Sequence, residues 1–274
     1  MIFKQCMNRI LYDNIRAMSA VDELARSVSP AAIYLLKGAA IINISPEAVA
    51  TRLMEDTDIL VDDYAAVSAV LIRMGFAKRT GDSQTFESVS GTVRPFDVHT
   101  NLWYASSRDL ARIKSESASA DGIPPNARIF SAADLCADII IHAAQHGGLD
   151  GRWRGDLEVI ENRFGPSAVR EGRARAEELC PGLLNPASAF FVDGAVPSAG
   201  FVRRFGLMGS PQKKAAYAAG VLFPSEDFIA RRYDVSSRAG VMLRRFVRPF
   251  AMLAAAAGSL VCAAASSIIP ARRQ

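Results

Sequence analysis

Residues 54–63 read MEDTDILVDD, and this stretch decides the fold. Ile59, Leu60 and Val61 suit a buried β-strand, while Asp56 and Asp58 sit one residue apart just ahead of them. On an extended chain that spacing sends both carboxylates to the same side. Like charges so close repel, and taking them out of water is costly without a partner. A cationic partner is therefore expected. Asp62 and Asp63 play a different part, because they fall where the next helix begins and favour its N-terminus.

Working outward, apolar spacing predicts a helix over residues 4–28, ended by Ser29-Pro30. Residues 33–36 read as a short buried strand, with Gly38 at a strand-to-helix junction. After the aspartate stretch comes a helix with Val67, Val70, Leu71 and Met74 in one stripe, closed by Gly75. FAKRT and QTFESVS flank Gly81-Asp82 as a hairpin. A further strand follows, with Phe96, Val98 and Leu102 alternating against Asp97 and His99. The first hundred residues thus predict a mixed sheet with helices on it. From Ser131 onward the pattern is helical, and Ser115 to Pro125 is the best linker candidate. The expected division is a core over 1–115, a helical acceptor-side region over 116–249 and an apolar tail over 250–274.

The bulk composition is globular: 274 residues, 50% hydrophobic and 22% charged, with a formal net charge of +4. That charge is too mild to imply nucleic acid. Residues 201–274 hold 12 Lys/Arg against 3 Asp/Glu, a balance of +9 that leaves residues 1–200 at −5. An acidic front and a basic tail suit a metal site followed by an anion-facing or membrane-facing segment. Four widely spaced cysteines with no CxxC predict reduced thiols in a cytoplasmic protein, and the N-terminus lacks the apolar run of a signal peptide. Residues 250–269 carry no charge, but eight of these twenty are Ala and three are Ser, which weakens the drive into a bilayer. The expectation is a helix or tail on the protein, with peripheral membrane contact as the alternative.

Three features come in order: Lys37-Gly38 at a strand end, Asp56 and Asp58 on a second strand, and Asp97 on a third. Carboxylates on neighbouring strands suit hard divalent cations, and a glycine turn ahead of a helix offers N–H groups to phosphate. In this order the residues resemble the nucleotidyltransferase superfamily with the polymerase β-like fold. More narrowly, YLLKGAAI, RLMEDTDILV, FDVHTNLW, IIIHAAQHGG…RWRGDLEVI and VLFPSEDFIARRY are similar to the bacterial family of uncharacterised nucleotidyltransferases. The resemblance implies an α+β fold, a nucleotidyltransferase sheet with helices followed by a mostly helical C-terminal region. It implies Asp56, Asp58 and Asp97 as metal ligands and catalytic groups for Mg²⁺, with Mn²⁺ as an alternative. It implies Gly38 on the phosphate side, with Lys37 and Arg52 as basic companions.

His99 shares Asp97's face of its strand and is expected to orient a carboxylate or touch the acceptor. His142 and His146 lie four apart on a helix and share a face. An acceptor-side or packing role is expected of them, since no zinc motif accompanies them. The implied reaction moves a nucleoside monophosphate from an NTP, ATP by default, to an acceptor, with pyrophosphate leaving. A sugar, a peptide natural product, an antibiotic, an RNA end and a protein all stand open as acceptors. Two alternatives are a non-catalytic nucleotide-binding protein on the same fold and a toxin-like nucleotidyltransferase acting on RNA or protein.

Overall fold

The computed structural model describes residues 2–79, 84–145, 151–181, 205, 210–224, 226, 229 and 237–250. The chain divides into two units, Met1–Ile141 with Gly151–Pro181, and His142–Asp150 with Gly182–Gln274.

The first unit is built on seven short strands: β1 (Ile33–Leu35), β2 (Thr57–Val61), β3 (Phe76–Lys78), β4 (Thr85–Ser88), β5 (Phe96–His99), β6 (Ala118–Ser119) and β7 (Ala127–Ile129). They form one mixed sheet in the order β3-β4-β5-β2-β1-β7-β6. β2 lies near its middle, antiparallel to β1 and parallel to β5. All five β2 residues are buried, which accounts for a run of apolar residues without alternation. β3, β4 and β5 form the expected antiparallel meander; the turn at Gly81-Asp82 lies outside the described residues.

Helices α1 (Ile2–Val28), α2 (Lys37–Ile44), α3 (Ala48–Thr51), α4 (Tyr64–Arg73), α5 (Ser107–Ser115), α6 (Ala132–Gln145), α7 (Gly151–Phe164) and α8 (Pro166–Leu179) accompany the sheet. α2 packs on β2 and on α7, and α1 packs on α3 and α4. The Val67, Val70 and Leu71 stripe of α4 is buried, and Gly75 closes that helix with φ +86°. Asp63 caps α4 by accepting from Ala66 N at 2.9 Å. Asp62 instead pairs with Lys114 of α5.

The expected linker is corrected. Residues 115–125 hold β6 and lead into β7, which pairs parallel with β1. The sheet therefore continues past residue 115, and helices α7 and α8 belong to the same unit. β7, three residues long, pairs with β1 almost a hundred positions earlier, so no local pattern announces it.

In the second unit, α9 (Pro211–Leu222) and helical residues 238–250 are described. Arg248 Nε donates to Val221 O at 3.1 Å, and Arg245 stands 3.8 Å from Glu226. Leu243, Phe246 and Phe250 are exposed. No helix among the described residues is long and apolar enough to cross a membrane. The uncharged run beyond Phe250 lies outside them.

Candidate active site

The parallel register of β2 and β5 sets Asp58 directly beside Asp97, and Leu60 beside His99. Residues paired across parallel strands project to the same face, so two carboxylates from distant segments meet without a turn to force them. His99, two residues after Asp97, points to that face as well. Its Nε2 lies 3.2 Å from Asp58 Oδ1 and 3.5 Å from Asp97 Oδ2. One ligand atom from each of Asp58, Asp97 and His99 fits within 4.8 Å.

The lysine expected at the strand end reaches into this group. Lys37 Nζ donates to Asp58 Oδ1 at 2.6 Å, and its side chain is only 13% exposed. Lys37 takes φ +44°, a left-handed conformation that costs a side-chain-bearing residue about 1–2 kcal/mol. This places the turn into α2 against the site, with Leu36 N bonded to Asp58 O at 3.1 Å. Gly38 has ordinary φ; its need is for room. A Cβ there would meet Met54 Cγ at 3.0 Å and Sδ at 3.2 Å.

Asp56 lies just before β2 and is exposed, outside the tight set of ligand atoms. Partial withdrawal from water and the charge of Asp58 push its carboxyl up to about 6 against the pull of Lys37, with Asp97 and Glu55 adding to the rise. Asp58 goes the other way. Burial would raise it, but the Lys37 ammonium and the His99 hydrogen bond hold it well below the usual carboxylate range. His99 is raised: burial opposes its charge, and the Asp58 bond with the Asp97 charge overrides that.

One acidic group nearby was not singled out from sequence as part of this site. Asp138 of α6 is 2% exposed, and its charge acts on Lys37 second only to that of Asp58. Tyr104 donates its hydroxyl to Asp138 Oδ1 at 2.8 Å, while Oδ2 is buried with no hydrogen-bond partner among the described residues. Burial raises the Asp138 carboxyl, with Lys37 opposing. An acidic residue amid the largely apolar LCADIII run of a helix was the available signal.

Arg52, expected as a basic companion of Gly38, places Nη2 3.7 Å from where a Gly38 Cβ would stand, and its guanidinium is also held by an ion pair. Its guanidinium makes a fork on Asp156 of α7, 2.6 Å from Nε to Oδ1 and 2.9 Å from Nη2 to Oδ2, with both side chains buried. His142 is half-buried on α6, and His146 lies outside the described residues. The buried thiols Cys136 and Cys180 are free, as the spacing implied.

Two carboxylates, an imidazole and an ammonium gathered where a strand turns into a helix suit an enzyme that handles phosphoryl groups. The chain is a nucleotidyltransferase, a phosphorus-group transferase. The family model described as uncharacterised nucleotidyltransferase matches residues 2–179, and the chain belongs to that family. No curated protein matches it. Similar solved structures include the antibiotic-resistance factor ANT(2'')-Ia, solved in solution, at 15% identity and a TM-score of 0.44 over 61% of this chain and 93% of that one. Another is an antigenic nucleotidyltransferase-like protein from Paracoccidioides brasiliensis, at 12% identity and a TM-score of 0.34 over 68% and 92%.

Proposed function

We propose that this protein moves a nucleoside monophosphate from an NTP, ATP by default, to an acceptor hydroxyl or phosphate, with pyrophosphate leaving. The observation that carries the reading is the strand register that aligns Asp58 with Asp97 beside the start of α2, with His99 in reach of both. Asp58 and Asp97, with Asp56 at the edge, would hold Mg²⁺, whose preference for carboxylate oxygens fits them; the His99 nitrogen makes Mn²⁺ an equal match. When bound, the cation would neutralise the triphosphate and the charge developing at the α-phosphorus.

The chain's own residues do the rest. Gly38 leaves the backbone at the head of α2 open to phosphate oxygens, which a helix N-terminus favours. Lys37 keeps the buried Asp58 ionised. Asp97, at 29% side-chain exposure the more accessible of the aligned pair, takes the proton of the attacking acceptor group. Arg52 supports the nucleotide from behind, by holding the segment ahead of β2 against α7 through Asp156.

The test is incubation with each α-labelled NTP, Mg²⁺ or Mn²⁺, and a cell lysate. Label is expected in one fraction, dependent on metal and absent with Asp58→Asn. Its chemistry assigns the acceptor to a sugar, a peptide natural product, an RNA end or a protein. No label above the Asp58→Asn control with any NTP would overturn the reading. A cytoplasmic protein with peripheral membrane contact through the exposed Leu243, Phe246 and Phe250 is the location this reading favours. Co-sedimentation with anionic vesicles, lost on Phe246→Ser, checks the contact.

A further inference from the structure

The Lys37–Asp58 pair poses a difficulty for any cation that is to use Asp58. The carboxylate is 5% exposed, and its Oδ1 already accepts from Lys37 at 2.6 Å and from His99 at 3.2 Å. A divalent ion placed there would face a buried ammonium at close range, and in a site of low dielectric that repulsion is large. The ammonium must therefore go somewhere when the ion arrives. Its side chain is 13% exposed, so it is not free to swing into water.

Among the described residues, Asp138 offers an acceptor suited to receive it. Asp138 is 2% exposed, and Tyr104 holds its Oδ1, leaving Oδ2 as the one open position on that carboxylate among the described residues. A buried acceptor without a donor is costly, and a charge-assisted bond would remove that cost. Asp138 is also the charge that Lys37 feels most strongly after Asp58. Lys37 is thus bonded to one buried carboxylate and feels the charge of a second.

We propose that Lys37 is a displaceable counter-ion: when a divalent cation takes up Asp58 and Asp97, the ammonium leaves Asp58 and docks on the open Oδ2 of Asp138. Lys37 and Asp138 are positioning residues in this scheme. Lys37 keeps Asp58 paired while no metal is present, and Asp138 lets it leave without stranding a buried charge. No bond is made or broken beyond the ion pairs, and the protons stay where they are. The inference rests on the metal-site reading above.

The experiment is Mn²⁺ titration without nucleotide, followed by calorimetry or by loss of the free-ion spectrum, on folded variants of the full chain. Lys37→Met is expected to bind Mn²⁺ roughly tenfold more tightly than wild type, because the competing charge is gone. Asp138→Asn is expected to bind roughly tenfold more weakly, because Lys37 has no second partner and stays on Asp58. In the Lys37→Met background the Asp138→Asn effect should fall to within about twofold. The same weakening in both backgrounds would make Asp138 a remote charge only and overturn the exchange, as would Lys37→Met binding no more tightly than wild type. A crystal structure of the unmutated protein with Mn²⁺ reads the step directly. Nζ within hydrogen-bond reach of Asp138 Oδ2 is the expected result, and Nζ still on Asp58 beside the bound ion overturns the exchange. No saturable Mn²⁺ binding by the wild type overturns the metal-site reading itself, and the inference with it.

Discussion

At the scale of single residues, the site is a balance of charges that costs the folded chain stability at some positions. Asp56 shows this most directly. Burial and the neighbouring Asp58 charge push its carboxyl up to about 6, against about 3.9 in an unfolded chain. A raised carboxyl contributes fully below the unfolded value, and that contribution is lost as pH rises through the folded one. Asp56→Asn is therefore expected to be more stable than wild type above pH 6 without metal and equal to it below pH 4. Its exposure to water holds the gain to about 1 kcal/mol or less. Urea melts at pH 4 and 7.5 read the difference, and saturating Mg²⁺ should reverse the order at the higher pH.

Arg52, beside Gly38, also carries a structural load. Its fork on Asp156 joins the segment ahead of β2 to α7, and both side chains are buried. Removing one partner of a buried pair leaves the other charge stranded, at about 3–5 kcal/mol. Asp156→Asn and Arg52→Ala are each expected to destabilise the protein by that order in chemical denaturation. Arg52→Lys keeps the charge but loses the fork, and should recover only part of the stability.

At the scale of elements, one contact between helices is unusually close. A Cβ on Gly172 of α8 would lie 2.4 Å from Cys136 Cβ, 2.6 Å from its Sγ and 3.1 Å from Ala133 O on α6. Those atoms belong to a buried thiol and to backbone, so they cannot swing aside. Gly172→Ala should cost about 3 kcal/mol or more although Ala is the better helix former, because overpacking outweighs propensity. Thermal melts against a control with open space such as Gly155→Ala, where a Cβ meets nothing within 4 Å, separate the two effects. The sequence offered no hint of this, since Gly172 sits among charged residues in a pattern that reads as a solvated face. The caps were different: Asp63 could be assigned at the head of α4 because capping depends on residues three positions apart.

At the scale of the whole molecule, the buried thiols give the first unit an alkaline limit. Burial pushes Cys136 up to about 12 and Cys180 up to about 11, while an unfolded cysteine ionises near 8.5. Above that value the unfolded chain loses protons that the folded one retains, so stability falls with rising pH by about 1.4 kcal/mol per pH unit for each thiol. Between pH 9 and 11, Cys136→Ala is expected to lose stability less steeply than wild type, as equilibrium unfolding at several pH values would show. Native Cys136 should also resist alkylation at pH 8.

The sequence by itself determined the segments whose information is local. The apolar run of β2, the α4 stripe with its cap and closing glycine, the alternation of β5 and the helical second half were all legible. Each depends on neighbours within a few positions. The aspartates were legible as a set through family resemblance, but the resemblance did not say which of them would lie side by side. That was decided by the register of β2 on β5, which placed Asp58 beside Asp97, brought His99 within reach and left Asp56 at the edge. Tertiary structure also decided that residues 118–129 complete a sheet, that Arg52 forks on Asp156, and that Tyr104 holds Asp138, whose charge reaches Lys37. The physical reason is the same in each case. Pairing across strands and burial of charge are satisfied by partners tens to a hundred residues away, and only the folded chain brings them together.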